Sequence, residues 1–67
     1  MNEIERICRE LMAEADAIIK YTEDLTSDVL GQESAKVIQD IRADEFEHLQ
    51  ALMVLLGMQL KEGGTDG

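Results

Sequence analysis

The sequence predicts an all-α protein, a two-helix antiparallel hairpin that dimerises into a four-helix bundle. Three observations lead there. The 67 residues include no proline, and glycine is confined to Gly31, Gly57, Gly63, Gly64 and Gly67, so two long stretches lack the strongest helix breakers. Apolar residues recur at alternating steps of three and four, the period of a helix face, and nothing alternates with period two over a useful length. A chain below about 70 to 80 residues also needs a disulfide, a metal or a partner chain to be stable. Its one cysteine, Cys8, cannot form an internal disulfide, which leaves metal and oligomerisation.

The first helix is expected from about Asn2, as N-cap, to Leu25. It should end in Thr26-Ser27-Asp28, where short polar side chains compete for the backbone. Asp28 to Gln32, holding Gly31, forms the turn. The second helix starts near Gln32 to Ser34 and runs to about Leu60, with Gly57 inside its last turns. Residues 1–62 thus make the hairpin and 63–67 a flexible glycine-rich tail.

On the first helix the inward series is Ile4, Ile7, Leu11, Glu14, Ile18, Tyr21 and Leu25. On the second it is Ile38, Ile41, Glu45, His48, Leu52 and Leu55. Both are heptad seams. Flanking Cys8, Met12, Ala15 and Ile19, with Leu49, Met53 and Leu56, widen the apolar faces beyond what two helices cover, which calls for a second copy.

Each seam is interrupted at its middle, by Glu14 on one helix and by Glu45 and His48 on the other. An ionised carboxylate on a buried stripe costs several kcal/mol unless it is paired, protonated or metal-bound. If the chain reverses near residues 29 to 31, the three arrive at one height, about 20 to 25 Å from the turn at a rise of about 1.5 Å per residue. Glu45-Phe46-Glu47-His48 is a Glu-x-x-His, whose i, i+3 spacing puts both side chains on one face. With nine glutamates in the chain that spacing alone is a weak signal. Its conjunction with Glu14 is stronger.

Dinuclear iron or manganese sites in four-helix bundles take one Glu from each of two helices and one Glu-x-x-His from each of the others. This chain has one of each, so two copies related by a two-fold axis supply four carboxylates and two imidazoles. Two divalent ions would neutralise the four carboxylates. The overall balance points the same way: 15 acidic residues against 6 basic give a net charge of −9. The Lys/Arg residues form no cluster, which argues against nucleic acid and anionic membranes as partners. The start, Met1-Asn2-Glu3-Ile4-Glu5, lacks the apolar core of a secretory signal. The longest apolar run, Ala51 to Leu56, is far below the roughly 20 residues of a membrane span. A cytoplasmic location is expected.

Two stretches resemble the encapsulated ferritin family and, more distantly, half of a rubrerythrin or ferritin. They are Ala13-Glu14-Ala15-Asp16-Ala17-Ile18-Ile19-Lys20-Tyr21 and Ile41-Arg42-Ala43-Asp44-Glu45-Phe46-Glu47-His48-Leu49. The resemblance implies a ferroxidase that oxidises Fe(II) to Fe(III) at a di-iron centre on the dimer interface, two irons per dimer, for iron storage or detoxification. It implies Glu14, Glu45 and His48 as the catalytic metal ligands and Tyr21 in the shell around them. It also implies higher ring assembly and residence inside an encapsulin nanocompartment. Family members carry acidic residues just before and two after the first-helix ligand, where metal is guided in; here Ala13 and Asp16 stand there, so Asp16 alone fits that role. Many also continue into a further helix and a shell-docking tail, whereas this sequence closes on glycines.

Other readings of the same residues stay open. Carboxylate and imidazole serve manganese and zinc as well as iron, so a non-redox Mn or Zn bundle satisfies the spacing. A metal-free helical dimerisation module, its seam polar residues fixing register, satisfies it too. Tyr21 alone reads as an interface aromatic, and Met12, Met53 and Met58 read as core filler.

Overall fold

The computed structural model describes residues 2–64. It contains two helices packed against each other, α1 (Glu3–Thr26) and α2 (Gln32–Gly64), and no strand among the described residues. The molecule measures 53 × 17 × 14 Å, a rod two helices wide. No helix of the described residues is long and apolar enough to cross a membrane.

Asn2 caps α1 as expected. Its backbone is extended and its side-chain oxygen accepts from the Glu5 N–H at 2.7 Å, filling one donor that a helix start leaves unpaired. Glu3 and Glu5 in the first turn suit the positive end of the helix dipole. At the other end Thr26 and Ser27 give their hydroxyls to the carbonyls of Glu23 and Asp24 at 3.1 and 2.8 Å. The helix therefore closes on its own polar side chains, one residue past Leu25.

The reversal depends on Asp28, whose φ of 67° lies in the left-handed region. Gly31, the expected turn glycine, has no positive φ. Its carbonyl instead accepts from the Ala35 N–H at 2.9 Å and starts α2. Aspartate tolerates the left-handed region better than most residues, so the turn does not need the glycine there. At the far end α2 runs four residues beyond Leu60, so Gly63 and Gly64, expected in a flexible tail, belong to its last turn. The rest of that segment, Thr65-Asp66-Gly67, lies outside the described residues.

All seven expected inward residues of α1 are buried or half-buried. On α2 the seam is turned by one position at alternate steps. The half-buried stripe is Ile38, Arg42, Glu45, Leu49, Leu52 and Leu56, while the expected Ile41, His48 and Leu55 lie on its exposed edge. Steps of three and four fit both series, because 41/42, 48/49 and 55/56 are adjacent pairs. Contact across the hairpin settles the choice: Arg42 Nη1 donates to Thr22 Oγ1 at 3.1 Å, and that hydroxyl donates in turn to the Ile18 carbonyl at 2.7 Å.

The core is small. Among the described residues only Ile7 and Ile18 are buried, at 3% and 9% exposure, and eleven large apolar residues from Met12 to Leu60 stay exposed. At about 1.5 to 3 kcal/mol for each fully buried apolar side chain, two such residues set little against the entropy of ordering the chain.

Candidate metal centre

Glu14 lies near the middle of α1, facing α2. Glu45 and His48 lie near the middle of α2, one helical turn apart. The antiparallel packing brings them together: one donor atom from each of Glu14, Glu45 and His48 lies within 4.8 Å of the others. His48 Nδ1 faces both carboxylates, 3.7 Å from Glu14 Oε2 and 3.6 Å from Glu45 Oε1. The convergence expected from helical rise is therefore present within a single hairpin.

These distances bear on what the cluster can hold. They exceed the roughly 2.7 to 3.2 Å of a nitrogen–oxygen hydrogen bond. They are also short for a water hydrogen-bonded to both atoms, which would stand about 2.8 Å from each. A cation bonded at about 2.0 to 2.2 Å sets neighbouring ligand atoms about 3 to 4 Å apart, and the two nitrogen–oxygen separations fall in that interval. A protonated His48 would pair with both carboxylates across the same gap.

Burial is uneven. The Glu14 and Glu45 side chains are each about 20% exposed, whereas that of His48 is 62% exposed. Glu14 Oε2 is sealed from solvent and has no hydrogen-bond partner. A sealed, unsatisfied carboxylate oxygen costs free energy that a proton or a cation would relieve. Accordingly Glu14 titrates above the ordinary carboxylate range. Proton sharing with the Glu45 carboxyl is the largest cause, followed by loss of solvent and by the charge of Glu45. His48 acts in the opposite sense, and Glu10 adds to the rise.

The remaining expected residues lie outside this group. Tyr21, seven residues past Glu14 on the same face, is half-buried. Asp16 is exposed and does not belong to the group. His48, expected inside the seam, is instead at its open edge, because the helix face nearest α1 passes through Arg42 and Leu49. One contributor to the electrostatics of the site and one to the packing of the helices that carry it went unrecognised in the sequence. Glu10, one turn before Glu14, was legible from its i, i+4 spacing as a source of negative potential. Arg42, a charged residue in the half-buried stripe, carried no such signal, because only the packing shows that it meets Thr22.

Searches of protein-family models, of curated proteins and of solved structures find no match to this chain.

Proposed function

We propose that the protein is a ferritin-like di-metal protein acting as a ferroxidase, with two chains each contributing Glu14, Glu45 and His48 to one site. The observation that carries the reading is the sealed, unpartnered Oε2 of Glu14 beside the Nδ1 of His48, at a separation suited to a cation. A single hairpin offers two carboxylates and one imidazole, with the imidazole on an open edge. A second copy laid on that edge doubles the set to four carboxylates and two imidazoles and covers His48. The exposed apolar residues beside it, Ile41 and Leu55, stand seven residues to either side of His48 and supply an apolar rim for that contact.

Within this reading Glu14 and Glu45 bind Fe(II) as hard, charge-matching oxygen ligands that also suit Fe(III), and His48 adds a neutral nitrogen. Bound there as substrate, two Fe(II) ions would each give up one electron, the pair with two protons reducing dioxygen to hydrogen peroxide. The Oε2 of Glu14 is closed to solvent while the rest of its side chain stays partly exposed. Charge on that oxygen is screened less than on an open surface, which favours a cation there.

The test is metal content and particle mass of protein purified from an iron-supplemented culture, with Fe(II) oxidation followed under oxygen. Two irons per dimer, and oxidation lost in Glu45→Ala, are expected. Oxidation at the wild-type rate in Glu45→Ala would show the assignment to be wrong. The metal-free dimerisation module has one observation in its favour, since a protonated His48 between two carboxylates satisfies the same contacts. It predicts a melting temperature indifferent to added Fe(II) or Zn(II), where a folded-state metal site predicts a rise.

A further inference from the structure

We propose that Glu10 is a further ligand of the metal site, its carboxylate joining those of Glu14 and Glu45 on the bound ion, and that this third carboxylate biases the site toward a trivalent cation. This rests on the metal reading above and adds to it a residue and a preference for the oxidised state.

Charge raises the question. Glu14 and Glu45 of two chains supply four carboxylates, which balance two Fe(II) ions. Two Fe(III) ions carry +6, so the same four carboxylates leave two positive charges unmatched after oxidation. Charge left uncompensated beside an oxygen closed to solvent is costly. One more carboxylate from each chain restores neutrality.

Helix geometry picks out which carboxylate stands nearby. At about 100° per residue, Thr22 lies about 40° to one side of buried Ile18, and Glu14 and Glu10 lie about 40° and 80° to the other. On α2, Arg42 and His48 lie about 60° to either side of Glu45. The Arg42–Thr22 bond joins two of these flanks, and the 3.7 Å approach of Glu14 to His48 joins the other two. Glu10 therefore stands on the His48 side of the hairpin, one turn from Glu14, and residues so spaced have Cβ atoms about 5 to 6 Å apart. Its charge also acts on Glu14, adding to a rise in titration led by the Glu45 carboxyl.

In the metal-free chain Glu10 is exposed and stands outside the group of Glu14, Glu45 and His48. It lines a groove of about 320 Å³ with Arg6, Arg9 and Ala13. Among the described residues neither arginine pairs with it, and the small Ala13 leaves space beside it. The carboxylate is free to turn toward an ion held by the sealed, unpartnered Oε2 of Glu14. Asp44, four residues before His48, is turned about 40° further outward and has a shorter side chain, so it brings equal charge without the reach.

Calorimetric titration with Zn(II) and Tb(III), redox-inert ions of charge two and three, tests the assignment in wild type, Glu10→Gln, Asp44→Asn and Glu14→Gln. Glu10→Gln is expected to weaken Zn(II) binding about tenfold. Tb(III) binding should weaken about thirtyfold, since the Coulomb energies of the two ions stand as two to three. Asp44→Asn should change either affinity by less than about twofold, as for an exposed charge. The Glu10→Gln loss should persist in about 1 M salt, where the screening length falls to about 3 Å. A loss no larger than that of Asp44→Asn, a loss that vanishes in high salt, or equal losses for the two ions would overturn the proposal. Glu14→Gln separates it from the metal reading. If Glu14→Gln loses binding and Glu10→Gln does not, the metal reading stands and Glu10 is no ligand; if wild type binds neither ion, both fail. The expected losses without any oxidation of Fe(II) would uphold Glu10 as a ligand and overturn the ferroxidase.

Discussion

The carboxylate of Glu14 and the imidazole of His48 face each other across 3.7 Å, one sealed from water at its Oε2 and the other largely open to it. The pair is asymmetric. Its inner member carries a cost in the metal-free chain, and its outer member is where a ligand or a second chain would arrive.

Replacing Glu14 by glutamine removes the charge and keeps the shape. Glu14→Gln should leave the metal-free protein as stable as wild type or more so, because the repulsion from Glu45 and Glu10 disappears. It should also abolish the rise in melting temperature with Fe(II) or Zn(II). Thermal melts with and without metal check both halves, and a retained metal-dependent rise would remove Glu14 from the ligand set.

The same carboxyl sets a pH dependence. Its titration is raised in the folded chain, so between the ordinary carboxylate range and the raised value the folded state holds more proton than the unfolded state. Stability from this group is full below the ordinary range and is lost as pH rises through the raised value. Metal-free wild type should therefore lose stability across that window relative to Glu14→Gln, measured as the difference in urea midpoint between the two proteins.

Arg42 supplies a different kind of support. Its bond to the Thr22 hydroxyl joins the helices within the half-buried stripe, and removing it also leaves that hydroxyl without its donor. Arg42→Ala should cost about 1 to 3 kcal/mol in chemical denaturation. Thr22→Val on the Arg42→Ala background should cost less than it does alone, since the two residues act as a pair.

At the turn, Asp28 occupies left-handed backbone with φ 67°. Asp28→Val places a β-branched side chain where it is least tolerated and should cost about 1 to 2 kcal/mol. Asp28→Gly should be neutral or slightly stabilising, the relief of strain offset by the greater freedom of glycine in the unfolded chain. Equal stability of the two variants would show that the left-handed turn is not maintained.

Much of this was legible in the sequence, for identifiable reasons. A helix advances by a fixed rise, so the common height of Glu14, Glu45 and His48 followed once the turn was located. Rotation about the helix was harder on α2, where apolar residues stand in adjacent pairs and either member fits a seam; Thr22, twenty residues before Arg42, decides it. Asp28 and Gly31 show a similar limit. Glycine is the residue that most readily takes positive φ, but a polar side chain with local hydrogen-bonding options competes for it, and the sequence does not say which yields. The continuation of α2 through Gly63 and Gly64 ran against helix propensity, which is only a weak prior for where a helix ends.

Two buried isoleucines, Ile7 and Ile18, are the solvent-free core among the described residues of the single chain. A folded state with so little interior has little reserve when alone; if two copies pair as proposed, association and folding become one equilibrium governed by how much chain is present. Dilution would then act as a denaturant, and the melting temperature should climb with protein concentration. Any function requiring the assembled form should grow faster than linearly with the amount made, which ties output to expression level without a separate regulator.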